Sequence, residues 1–75
     1  MENPTVFAGY RGVKPLNPDT VAGLVGEYGG KPEKWQHAKG VGTLDVDGDE
    51  VKAEVHWFQE ESIGKVKFKI KRWLE

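Results

Sequence analysis

Seventy-five residues make one small domain, and a chain this short buries only ~60% of the surface it exposes when unfolded. Eleven Lys/Arg against twelve Asp/Glu leave a net charge of -1, so no overall field draws the chain to nucleic acid or to a membrane. With no cysteine there is neither a disulfide staple nor a thiolate zinc site, and a reducing, cytoplasmic setting fits best.

No apolar run approaches the ~18 residues of a membrane span, and "MENPTVFAGY" lacks the basic and apolar regions of a signal peptide. Charge is unevenly spread: five basic and eight acidic residues fall in 1–50, against six and four in 51–75. The terminal Leu74-Glu75 reads as a remnant preceding a purification tag.

"MENPTVFAGYRGVKPL" mixes Pro4, Gly9, Gly12 and Pro15 with Val6, Phe7 and Tyr10. It is expected to be irregular, poorly ordered over 1–12, with room for one short strand. "NPDTVAGLVGEYGG" carries a helix signal: Asn17 as N-cap, Pro18 in the first position, Asp19 in the first turn, and Gly29-Gly30 as the stop. Val21, Leu24, Val25 and Tyr28 form one apolar stripe. "KPEKWQHAKG" reads as a second, shorter helix from Pro32 to Lys39, closed by Gly40, with Trp35 and Ala38 on its inner side.

Beyond Gly40 the apolar period becomes 2. Val51, Ala53, Val55 and Trp57 alternate with Lys52, Glu54, His56 and Phe58, and Val66, Phe68 and Ile70 alternate with Lys65, Lys67, Lys69 and Lys71. A loop Glu60–Ile63 pairs Gln59 with Gly64 and sets Trp57 opposite Val66, Val55 opposite Phe68 and Ala53 opposite Ile70. The polar face then opposes Glu54 to Lys69 and His56 to Lys67. Asp47-Gly48 is the expected two-residue turn of the first hairpin, but a four-residue loop sets Lys52 against Asp45, and charge favours that longer loop. The fold class is α+β: a three-stranded antiparallel meander, extendable by a fourth N-terminal strand, with one longer and one short helix packed on its apolar face.

"DVDGDE" alternates carboxylates as a calcium loop does, yet its glycine comes at the fourth position and its twelfth position is His56, so a hairpin turn explains it and no metal site follows. The glycines of "GYRG" and "GVG" do not join a strand to a helix start, which leaves them turn and close-packing roles. No cofactor is implied.

His37 and His56 are the only histidines. Two imidazoles can serve as general base and general acid in metal-independent RNA cleavage, with Lys39 and Lys67 stabilising the charged phosphorane. A solvated strand face is the plainer explanation of His56. The row Lys65, Lys67, Lys69, Lys71 and Arg72 blocks edge-to-edge aggregation in one reading, and in another forms a basic strip with Phe58 and Trp73 as stacking surfaces. His56, Phe58 and Trp73 are the residues folding explains least, so the outer sheet face is the expected contact surface.

"WQHAKGVGTL" and "AEVHWFQEESIGKVKFKIK" resemble small domains at the C-terminal ends of phage head-morphogenesis or minor capsid proteins of Gram-positive bacteria and their prophages, over about Tyr10 to Trp73. Such phage proteins sometimes end in toxin-like nuclease domains of the barnase, colicin and RelE type, which place helices before an antiparallel sheet. The resemblance implies RNA cleavage and carries over no catalytic residue, because no motif aligns with His37, His56 or the lysines.

Two functions are therefore expected. The first is a non-enzymatic interaction module, monomeric in isolation, binding protein or single-stranded nucleic acid through His56, Phe58, Lys65, Lys67, Lys69, Lys71 and Trp73. The second is a small metal-independent ribonuclease using His37, Lys39, His56 and Lys67. Convergence of the two imidazoles with Lys39 or Lys67 discriminates between them.

Overall fold

A computed structural model of the chain describes residues 2–74. Four strands, β1 (Glu2–Gly9), β2 (Gln36–Val46), β3 (Asp49–Glu60) and β4 (Gly64–Leu74), pair antiparallel in chain order, and helix α1 (Pro18–Tyr28) lies between β1 and β2. The N-terminal strand is thus present and runs for eight residues. Glu75 lies outside the described residues, whereas Leu74 belongs to β4 and pairs with Lys52.

Helix α1 starts and stops where its residues dictate. The Asn17 Oδ1 accepts a hydrogen bond from the Asp19 N–H at 2.8 Å, Pro18 opens the helix, and Gly29 closes it at a φ of 86°.

The second expected helix is cut to a single 3-10 turn, Pro32–Lys34, and from Gln36 onward the chain is strand. Gln36, Ala38, Gly40, Gly42 and Leu44 in fact alternate along β2, opposite Gln59, Trp57, Val55, Ala53 and Val51. Glycines at two of those positions conceal the period of 2 from a count of apolar side chains. They sit within the strand rather than in turns.

Asp47 and Gly48 adopt φ values of 52° and 87°, and Val46 pairs with Asp49, so the first hairpin has the two-residue turn and not the longer loop. Backbone twist outweighs the exposed charge pairing, which contributes at most a fraction of a kcal/mol. Lys52 instead brings its Nζ within 3.9 Å of the Glu2 Oε2.

The second hairpin corrects the expected register. Its turn spans three residues, Glu61–Ile63, so Glu60 pairs with Gly64 and Phe58 with Val66. Two irregularities in β4, between Val66 and Lys69 and between Ile70 and Arg72, then reset the phase. They bring Val55 opposite Ile70, Ala53 opposite Trp73, Glu54 opposite Arg72 and His56 opposite Lys69. Lys67 stands at the first irregularity with a φ of 55°. Trp57 and Phe68 still share a face, with ring centroids 5.7 Å apart.

The buried cluster on that face is Ala38, Ala53, Val55 and Trp57, with Val6 and Leu44 packed against it. Leu24 and Trp35 are also buried but stand outside this cluster. Helix α1 is fastened at the end of the sheet where Gln36 pairs with Gln59. The fastening is explicit: the Trp35 Nε1 donates to the Gly29 carbonyl at 3.1 Å, the Tyr28 ring lies 6.2 Å from that of Trp35, and the Glu27 Oε1 lies 3.1 Å from the Lys67 Nζ. A buried carboxylate completes it, since Glu60 accepts from the Lys31 N–H at 2.8 Å and from the Ser62 hydroxyl at 2.8 Å.

Candidate functional site

Because residues directly opposite each other share a face, the pairs His37–Phe58 and Lys39–His56 place both histidines on the side of the sheet away from Trp57. His37 was expected on a helix; its position on β2 is what brings it to His56. The two ring centroids are 5.7 Å apart, the planes nearly perpendicular. Phe7 joins them from β1, 4.3 Å from His37 and 5.3 Å from His56, and Phe58 stacks on His37 at 4.2 Å.

His56 does not stand out in water. Its side chain is only 15% exposed, and its Nε2 lies 2.8 Å from the Glu54 Oε2. The other oxygen of Glu54 accepts from the Arg72 Nε at 2.9 Å. The His56 contact, followed by Arg72, holds the Glu54 carboxyl below the usual carboxylate range. The result is an Arg72–Glu54–His56 relay that fixes the ring through an ionised carboxylate. His37 is shifted differently: burial foremost, then the positive charges of His56, Lys71 and Lys14, lower its pKa.

Beside His56 a cavity of about 360 Å³ is lined by Phe7, Val13, Lys14 and Lys39. His37 does not line it, being held between Phe7 and Phe58. Lys39 thus joins the imidazoles, with its Nζ 5.8 Å from the Phe7 ring centroid. Lys67 does not join them, because the irregularity in β4 sends it to Glu27 of α1. Nor do the lysines of β4 form one strip: Lys69 faces His56 across the pairing, Lys65 lines a separate cleft near Tyr10, and Trp73, 52% exposed, lies opposite Ala53 on the other face.

Phe7 and Lys14 complete the site without having been singled out as its members, and Arg72, expected only as the end of the basic row, enters it through Glu54. Glu54 had been matched to Lys69 when Arg72 is its partner. Among the described residues, no group of three or more His, Asp or Glu is placed to hold a metal ion, and no helix is long and apolar enough to cross a membrane. No family model matches the chain, and neither a curated protein nor a solved structure matches it.

Proposed function

We propose that the chain is a small ribonuclease that cleaves single-stranded RNA without a metal ion, on the sheet face bearing His37 and His56. The observation that carries this reading is the approach of two imidazoles to 5.7 Å, next to a cavity that also presents Lys39 and Lys14. His37, its pKa lowered, is kept neutral near pH 7 and suits the general base. His56, oriented by the Glu54 carboxylate, suits the general acid. In the reaction, His37 takes the proton of a ribose 2′-hydroxyl, and that oxygen attacks the adjacent phosphorus. The His56 imidazolium gives its proton to the departing 5′-oxygen, leaving a 2′,3′-cyclic phosphate. Lys39 and Lys14 offset the charge that develops on the phosphorane.

A second reading, binding of single-stranded nucleic acid without cleavage through the same face, is favoured by the packing of His37 between Phe7 and Phe58 and its position behind the cavity lining. One assay separates the two. The chain is incubated with a fluorescent single-stranded RNA and with its DNA counterpart, in the presence of EDTA. The cleavage reading expects cyclic-phosphate products from RNA alone, with His37→Ala or His56→Ala each slowing the reaction ~10²–10⁴-fold. Saturable binding of both strands with neither cut would leave the binding reading in its place. Cleavage that persists undiminished in the double alanine variant would remove the histidines from the mechanism.

A further inference from the structure

A second cleft, of about 410 Å³, opens where the 3-10 turn and the β3–β4 turn meet the segment after β1, and it shares no lining residue with the cavity beside His56. Its cations are Arg11, Lys34 and Lys65. Two of them converge on one ring: the Lys34 Nζ lies 4.1 Å and the Arg11 Cζ 5.2 Å from the Tyr10 centroid. Among the described residues, none of the three has a carboxylate oxygen within 4.0 Å. Glu60 contributes a carboxylate to the wall, but it is already engaged by Lys31 and Ser62. Glu61, also at the wall, is exposed and makes no ion pair at that distance. Three cations thus face two carboxylates, with the Glu61 charge acting on Lys34, and the recess keeps a net positive charge of one in a chain of net charge -1.

The recess is also rigidly built. Arg11 takes a left-handed backbone conformation, φ 64°, that a non-glycine residue keeps only where its surroundings impose it. Those surroundings are backbone bonds on both sides: Tyr10 N–H to the Trp35 carbonyl at 3.1 Å, Gly9 N–H to that of Lys14 at 2.8 Å, and Gly12 N–H to that of Gly9 at 2.9 Å. Below lies a polar chain in which Trp57 donates to Gln59, Gln59 to Gln36, and Gln36 to the Tyr10 carbonyl, at 2.7–2.8 Å. The Lys34 ammonium first, and then the Arg11 guanidinium, hold the Tyr10 phenol below its ordinary range. An anion entering between them finds a guanidinium fork, an ammonium and a phenol donor, the groups that recognise a phosphate carrying two charges.

We propose that this cleft binds a phosphate monoester, the terminal phosphate of a nucleotide or of a nucleic-acid 5′ end, between Arg11 and Lys34 with Tyr10 beside it. The inference is independent of the cleavage reading. Its test uses short DNA, which has no 2′-hydroxyl and stays intact whatever the histidines do.

A 5′-phosphorylated tetranucleotide, its 5′-hydroxyl counterpart, adenosine monophosphate, adenosine and inorganic phosphate are titrated against the isotope-labelled full chain at fixed ionic strength. The expected result is at least ~10-fold tighter binding of the phosphorylated oligomer than of the hydroxyl form, with NMR shifts at Tyr10, Arg11 and Gln59. Saturable binding of adenosine monophosphate but not adenosine is also expected. Arg11→Gln and Lys34→Gln, both at surface positions, should erase the preference while retaining the folded spectrum, and Lys52→Gln, at an exposed cation that pairs with Glu2 and lines neither cleft, should leave it intact. Inorganic phosphate alone shifting the same signals would identify a free-anion site; the oligomer preference distinguishes a strand end. Equal affinity for the two oligomers, or a preference that survives the Arg11→Gln/Lys34→Gln double variant, would overturn the proposal.

Discussion

His37 lies stacked on Phe58, their centroids 4.2 Å apart and their planes 17° from parallel, on a face that also carries Phe7 and a second imidazole. Burial and the charges of His56, Lys71 and Lys14 make this ring resist protonation in the fold more than in the unfolded chain. A depressed histidine pKa contributes stability that is present above the unfolded value of ~6.5 and is lost as pH falls from there towards the folded value. The melting temperature should therefore decline as pH falls through and below ~6.5. In His37→Phe, which keeps the stack and removes the titration, that decline should shrink; an unchanged pH profile in this variant would place the sensitivity elsewhere.

Below the histidine range, acid should act through Glu60. The Lys31 N–H foremost, then Ser62, hold its carboxyl below the ordinary value, so its contribution is present above ~4.3 and is lost as pH drops through the folded pKa. Glu60→Gln should flatten the acid limb of the unfolding curve followed by circular dichroism. Glu61→Gln, one residue along and exposed, should leave that limb as it is.

Trp57 is 1% exposed at the centre of the strand-built cluster, and Trp57→Ala should cost ~3–5 kcal/mol in urea denaturation. Trp57→Phe refills most of the volume but removes the donor that the Gln59 side chain accepts at 2.7 Å, so a smaller loss of ~1 kcal/mol is expected. Equal losses in the two variants would assign the effect to the polar chain and not to packing.

Gly48 holds a φ of 87° in the two-residue turn, with no neighbour within 4 Å of where a side chain would begin. Gly48→Ala should therefore cost ~1 kcal/mol through backbone strain alone. Asp47, at 52°, tolerates the same region better than most residues, and Asp47→Asn should be near neutral.

Much of this architecture was legible because its signals are local. The cap at Asn17, the stop at Gly29 and the alternation from Val51 to Trp57 each depend on residues close in sequence, and each appears where expected. The start of β2 was not legible: Pro32 and Gly40 imitate helix boundaries, and Gly40 and Gly42 replace the apolar residues that would have marked a strand. The irregularities of β4 have no composition of their own, yet they decide that Lys67 meets Glu27 and that Arg72 meets Glu54. His56 as a site residue could be read from the alternation. Its proximity to His37 could not, because it arises from a pairing between strands that places Lys39 opposite His56 and His37 opposite Phe58. Phe7 escaped notice for a similar reason, as its strand contains Pro4 and breaks register twice against β2.

The eleven residues of α1 extend ~16 Å, while the twelve of β3 extend ~40 Å, so the helix is too short to span more than half of the strands. The end fastened by Trp35, Glu60 and Lys67 and the end closed by Asp47-Gly48 must therefore breathe at different rates. Amide exchange should be slowest around Ala38 and Trp57 and fastest near the hairpin tip, where Val46 is 41% exposed. Opening then proceeds like a zipper from the tip, and the imidazoles, seated towards the fastened end, keep their spacing while the far half of the sheet frays.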